Sequence, residues 1–335
     1  MKRYFLRLLS LVLFIVIFSL SGWYWWNASI GPVSNDKENY SFIIPKGSSA
    51  MQIANKLEDK EIIKSALAFK IYTQVTGKAD SIQAGEFDLS PSNSLFVIVE
   101  TLLSGPIELW ITIPEGLRRE EIAIRFAQGL EKENGEDEIF IDEFLFYSDG
   151  MEGYLFPDTY LFPKEVSAQK VISVLSETFD KKALDLNEDI ENNGLGLSEV
   201  VTLASIIERE TKGTDERPVV AGILLKRLDA GWPLQVDASV QYAVSSLNCG
   251  VRISNCEWWP ILTRSDLDID SQYNTYKYAT LPPGPIANPG LTSLQAAVYP
   301  KKSDYWYYIH DDKGVIHYAK TQEEHSNNVA RYLGK

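Results

Sequence analysis

The pattern of hydrophobic and polar positions divides the chain into three regimes, the first of them unbroken. Leu8 to Trp26 is nineteen residues without a charge. As a helix it spans about 28 Å, close to the hydrocarbon thickness of a bilayer. Lys2, Arg3 and Arg7 precede it, and Trp23, Trp25 and Trp26 close it. Positive charge before the run and an aromatic belt after it predict a single-pass anchor with a cytoplasmic N-terminus and the remainder outside. A cleaved signal peptide, with Ser19 and Ser21 before the cut, is the alternative and exports the remainder equally. Residues 1–27 are therefore assigned to the cytoplasmic N-terminus and anchor, and the polar stretch 28–39, with Gly31 and Pro32, to a linker.

The second regime is short and alternating. Tyr40, Phe42 and Ile44 predict a strand, Pro45-Lys46-Gly47 a turn, and Ser48-Ser49 a cap for a helix through Ile53, Ala54 and Leu57. A second helical pattern runs through Leu67, Phe69, Ile71 and Tyr72, and Gly85 to Leu89 reads as a returning strand. Strand, two helices, strand resembles the LysM fold, a small module that in many proteins binds N-acetylglucosamine polymers; a spacer that binds nothing is the alternative. The module is assigned to 40–105, which includes a helix over 92–104.

The third regime, 106–335, mixes helices with short strands in no regular βαβ alternation. The predicted class is α+β: an N-terminal transmembrane helix, a small LysM-like βααβ module and a larger mixed α+β domain. Leu109, Ile111 and Ile113 read as a strand, Pro114-Glu115-Gly116 as a turn into a helix through Ile122 and Leu130, and the acidic run Glu131 to Glu138 as a solvated loop.

Charge narrows the function classes. Lys plus Arg is 32 against 46 for Asp plus Glu, a net charge of −14. Nucleic-acid binding needs the opposite balance, and any polymer held here is gripped by hydrogen bonds and aromatic stacking. The three histidines and two cysteines lack metal-ligand spacing, so neither metal nor cofactor is expected. In an exported domain Cys249 and Cys256 are candidates for a disulfide, with two free thiols the alternative.

Four stretches could carry chemistry. In Met151 to Tyr160, Glu152, Tyr154 and Asp158 sit among aromatics suited to a sugar, or to a core turn. A helix predicted over Ser198 to Thr211, capped by Ser198, has an apolar stripe of Val200, Leu203, Ala204, Ile206 and Ile207. Glu208 lies just outside the stripe and Glu210 within its span. A carboxyl bordering a core is the environment that raises a pKa for general-acid work. The wheel slightly prefers Glu210 and does not decide; both glutamates paired with Arg209, Lys212 or Arg217 is the plainer reading. Gln235 and Asp237 alternate with apolar neighbours, as if on one strand face. Tyr273-Asn274-Thr275-Tyr276 is followed by the rigid Leu281 to Gly290 segment, rich in proline.

The ordered set Glu-Gly-Tyr-Leu-Phe-Pro-Asp-Thr-Tyr, Ala-Ser-Ile-Ile-Glu-Arg-Glu-Thr, Leu-Gln-Val-Asp, Tyr-Asn-Thr-Tyr and Leu-Pro-Pro-Gly-Pro-Ile-Ala-Asn-Pro-Gly resembles the YceG-like family of endolytic murein transglycosylases across 106–335, and the anchor and LysM-like segment agree with it. The resemblance implies a lytic transglycosylase that cleaves the MurNAc–GlcNAc β-1,4 bond of peptidoglycan to leave 1,6-anhydromuramyl ends and so terminates strand elongation. It implies Glu208 as the catalytic acid, with Glu210 second, and Gln235, Asp237, Tyr273 and Asn274 along the same cleft, beside Glu152 and Tyr154. It also implies association with penicillin-binding proteins. Ala238 and Val236 depart from the family pattern, and Cys249 to Trp259 looks like an insertion. The alternatives are a non-catalytic peptidoglycan-binding scaffold and a two-carboxylate muramidase using Glu208 with Asp237 or Glu152.

Overall fold

The structure is a computed structural model that describes residues 2–334 except 36, 46, 133, 134, 193 and 250–255. The chain divides into two units, 1–109 with 161–165, and 110–160 with 166–335.

The smaller unit begins with α1 (Lys2–Ile30), of which Leu9–Ile30 is long and apolar enough to cross a membrane. It continues through β1 (Tyr40–Ile44), α2 (Ala50–Asp59), α3 (Ala66–Val75), β2 (Gly85–Leu89) and α4 (Leu95–Leu103). β1 and β2 pair antiparallel, with Phe42 opposite Phe87. Ser49 caps α2 in a reciprocal box with Gln52, each satisfying a backbone N–H of the other, and Ser65 caps α3. Phe42, Phe69, Phe87, Leu57 and Ile98 form the core. The βααβ order is as the pattern predicts, although Lys46 of the predicted turn lies outside the described residues. The stretch from residue 27 is less of a tether than its polarity suggests. The helix continues to Ile30, Trp26 and Ile30 pack against this core, and the Val33 and Ser34 N–H groups donate to Pro91 O. Apolar residues at the helix end found a surface to cover, and the chain after it is held.

In the larger unit, β3 (Glu108–Thr112) is followed by α5 (Arg119–Gly129), α6 (Glu136–Tyr147) and β4 (Thr159–Pro163); β3 pairs with β4, and the division between units falls within this ribbon. Helices α7 (Ala168–Leu184), α8 (Asn187–Asn192), α9 (Leu197–Glu210), α10 (Arg217–Asp229), α11 (Asp237–Cys249) and α12 (Leu291–Val298) precede a hairpin, β5 (Tyr307–His310) and β6 (Ile316–Ala319), and α13 (Gln322–Tyr332) closes the chain. The acidic run is in part a helix start: Gly135 turns the chain with a left-handed φ of 87°, and Glu136, Asp137 and Glu138 fill the first turn of α6. There they oppose the positive end of the helix dipole, which is why the acids cluster.

Helix α9 is the axis of this unit. Every residue from Val200 to Glu208 is buried, because α10, α11 and α12 all pack against it. A helix enclosed on all sides needs no single polar face, and the two hydroxyls of its buried stretch bond within the fold: Thr202 Oγ1 donates to Ser198 O, and Ser205 Oγ donates to Thr202 O and accepts the Ile286 N–H. The helix starts one residue earlier than predicted. Gly196 is its cap, with its N–H held by Glu199 Oε2 at 2.8 Å, rather than Ser198.

Candidate active site

The last turn of α9 carries Glu208 and Glu210, which two residues of helix turn about 200° apart. They enter different surroundings. Glu208 is 9% exposed and faces inward. Arg217 Nη2, from the start of α10, donates to its Oε1 at 2.7 Å, and the Gly290 N–H donates to its Oε2 at 3.0 Å. Burial pushes the Glu208 pKa up, while the Gly290 N–H and Arg217 pull it down. Arg217 also reaches Thr292 and, at 3.4 Å, Glu115. A Cβ at Gly290 would lie 1.8 Å from Glu115 Oε1, so only glycine admits this approach. The arrangement is a buried ion pair tying α9 to α10 and to the Pro-rich segment.

Glu210 looks the other way, into a cleft of about 480 Å³ that it lines with Arg227, Gln235, Asp237 and Tyr276. The Tyr308 hydroxyl donates to its Oε2 at 2.8 Å. Its pKa is pushed up to about 7, first by burial and further by Asp237, against the pull of Tyr308 and Arg227. Asp237 accepts from Tyr276 OH at 2.5 Å. Two carboxyls and the phenols of Tyr276, Tyr307 and Tyr308 thus border one open space.

The residues that bring Gln235 and Asp237 here are not on a strand. Arg227 Nη1 donates to Leu234 O at 2.6 Å, the Gln235 N–H donates to Thr275 O, and the Val236 N–H donates to Thr275 Oγ1. Pinned on both sides, Gln235 adopts a left-handed φ of 55°, and the chain enters α11 with Asp237 as its first residue. Alternation over four residues is too short to separate a strand from such a turn. A non-glycine residue held in this region costs on the order of 1 kcal/mol or more and is found where surroundings over-determine it.

The remaining sequence candidates lie elsewhere. Glu152 is 8% exposed, accepting from Asn288 Nδ2 at 2.8 Å and from the Arg119 N–H at 3.1 Å, and burial raises its pKa. Asn288 in turn accepts the Leu155 N–H and donates to Leu117 O. Tyr154 packs edge-on against Phe179. Asn274 is fully buried, its Nδ2 donating to Leu267 O and Ile269 O at 2.9 Å each and its Oδ1 accepting the Tyr276 N–H. Tyr273 lies against Tyr242. The polar atoms of Glu152 and Asn274 and the rings of Tyr154 and Tyr273 thus meet protein partners, and these four residues are not among those that line the Glu210 cleft. Tyr276, the last residue of its motif, reaches the cleft instead, and Arg227, Tyr308, Gln322 and His325 join it without any local sequence signal.

Cys249 and Cys256 are joined as a disulfide, Cα atoms 5.5 Å apart, while 250–255, the middle of the segment read as an insertion, lie outside the described residues. Beyond them Trp259 covers the Arg209 guanidinium at 3.6 Å and donates Nε1–H to Glu121.

Residues 42–331 match the YceG-like family, which takes in nearly all of the fold outside α1. The chain belongs to that family. It is 32% identical to the endolytic murein transglycosylase of Bacillus subtilis (strain 168), covering 90% of this chain and 87% of that protein. It is 30% identical to the endolytic murein transglycosylase of Streptococcus pneumoniae (strain D39), covering 97% of this chain and 65% of that protein. The chain thus spans a little under two thirds of the length of the Streptococcus relative. The crystal structure of a YceG-like protein from Listeria monocytogenes is similar at TM-score 0.56 and 31% identity, over 87% of this chain and 99% of that one.

Proposed function

We propose that this protein is a peptidoglycan lytic transglycosylase whose general acid is Glu210. The observation that carries the reading is that Glu210, its pKa pushed up to about 7, and Asp237 border one open cleft. This departs from the assignment of Glu208 by resemblance. Both oxygens of Glu208 are engaged by Arg217 and Gly290, and a carboxylate so paired is a poor proton donor. The names of the Bacillus and Streptococcus relatives support the substrate class.

In the proposed reaction Glu210 donates its proton to the glycosidic oxygen between N-acetylmuramic acid and N-acetylglucosamine. The C1–O bond breaks, and Asp237 stabilises the positive charge that builds at the anomeric carbon. The carboxylate of Glu210 then takes the proton of the muramic C6 hydroxyl as that oxygen bonds to C1, giving a 1,6-anhydro end and consuming no water. The nucleophile is tethered to its target, so high effective molarity replaces an activated water. The Tyr308 hydroxyl steadies the carboxylate between its two duties.

The apolar helix is proposed as a membrane anchor with the N-terminus cytoplasmic and the rest periplasmic or extracellular, supported by Arg7 before it and Trp23 and Trp25 near its end. The βααβ order of the smaller unit supports a LysM-like role in holding glycan, and penicillin-binding proteins are proposed as partners on the family resemblance alone. The test is digestion of purified sacculi by the full chain in detergent, wild type beside Glu210→Gln and Glu208→Gln, with the fragments weighed. Anhydro ends from wild type and Glu208→Gln but none from Glu210→Gln support the assignment. Reducing ends carrying oxygen from labelled water would establish a two-carboxylate hydrolase instead.

A further inference from the structure

One wall of the cleft is built by the C-terminal hairpin and α13, and apart from Tyr308 the proposed chemistry leaves its residues without a role. Tyr307 on β5 stacks on His325 of α13, ring centroids 5.0 Å apart and planes 23° apart. Gln322, the exposed first residue of α13, lies one turn before His325 and so on the same helix face. Both line the cleft with Tyr307.

This wall differs in charge from the one opposite. Glu210 and Asp237 supply the acidic side. The Arg227 guanidinium, which also lines the cleft, is engaged by backbone, with Nε and Nη2 donating to Trp306 O and Nη1 to Leu234 O. Burial and the nearby Arg227 hold the His325 pKa below its ordinary value, and its Nδ1 is shut from solvent with no hydrogen-bond partner among the described residues. The C-terminal wall thus offers a neutral amide and a neutral aromatic surface. A primary amide donates and accepts at once and complements an acetamido group, and aromatic faces match the apolar faces of a pyranose. The Arg227 guanidinium lies over the Tyr307 ring, 5.6 Å from its centroid, with its N–H groups spent on backbone carbonyls.

Resting on the reading of this cleft as the transglycosylase site, we propose that Tyr307, Gln322 and His325 form a saccharide-binding wall that takes an uncharged N-acetylated pyranose, the N-acetylglucosamine side of the bond being cut. Gln322 recognises the acetamido group, and the Tyr307–His325 stack supplies the platform.

The test uses the full chain in detergent. In a Glu210→Gln background, which leaves the ligand uncut, binding of an N-acetylglucosamine pentamer is measured by calorimetry. Adding Gln322→Ala is expected to weaken binding about 5-fold, the value of one hydrogen bond. Adding His325→Ala is expected to weaken it by a similar factor, and His325→Phe, which keeps the stack, to stay within about twofold of the parent. With Glu210 intact, Gln322→Ala should raise KM for glycan strands about 5-fold and leave kcat within about twofold. Unchanged pentamer binding in both alanine variants overturns the proposal. So does a parent that binds no pentamer, or a fall in kcat at constant KM in Gln322→Ala. Failure of the transglycosylase reading itself is distinguishable, because it shows as wild-type digests without anhydro ends whatever the wall variants bind.

Discussion

The two sides of the last turn of α9 are built from the same residue type and meet opposite surroundings. On the inner side Glu208 is enclosed with Arg217 and the Gly290 N–H, each of its oxygens accepting a hydrogen bond from protein. On the outer side Glu210 shares an open cleft with Asp237 and keeps one phenolic donor, Tyr308. Desolvation raises both pKa values, but only the first carboxyl accepts directly from a guanidinium, at 2.7 Å. What separates a structural carboxylate from a proposed acid is therefore the partner set. A raised pKa alone does not distinguish them.

The largest expected effect that tests this contrast is Glu210→Gln. Loss of a general acid should lower kcat/KM on glycan strands by about 10²–10⁴-fold, with a melting temperature no lower than wild type, since a desolvated carboxyl is removed. Glu208→Gln should do the reverse. It leaves the buried Arg217 without its nearest counter-charge and should destabilise by about 3 kcal/mol in chemical denaturation, while folded protein at low temperature still cleaves. If Glu208→Gln abolishes cleavage at unchanged stability, the two roles are exchanged.

Asn288→Ala sharpens the inner side further. It strands the Leu155 N–H and removes a donor from Glu152, and about 2 kcal/mol should be lost with little change in KM, as read by denaturation and steady-state kinetics. The smallest effect is in pH. A protonated Glu210 is required, so kcat/KM should fall as pH rises through about 7, by about twofold between pH 6 and pH 7. Stability should move the same way. Between the ordinary carboxylate range and about pH 7 the folded state keeps a proton that the unfolded chain has released, so folding weakens as pH rises across that window. Glu210→Gln should flatten that part of the stability profile.

Much of the secondary structure was legible in the residues. Ser49 and Gln52 announce α2, Gly85 to Leu89 forms the predicted strand, and the chain carries the ordered motifs of its family. These are short-range signals, readable because a cap or a strand's alternation lies within a few residues. Glu131 to Glu138 misled because acids at a helix start and acids in a loop look alike until Gly135 is known to turn the chain. Gln235 and Asp237 misled because their period of two belongs to a turn pinned by Arg227 and Thr275.

The sequence by itself determined the apolar N-terminal run, the α+β elements, the family and the short list of carboxyls. It could not choose between Glu208 and Glu210, since a helical wheel shows angles and not what packs at each angle. That choice depends on Gly290, 82 residues from Glu208 along the chain, and on Tyr308, 98 residues from Glu210. Only the tertiary structure brings such distant groups together, and they decide which carboxyl is paired and which is left facing open space.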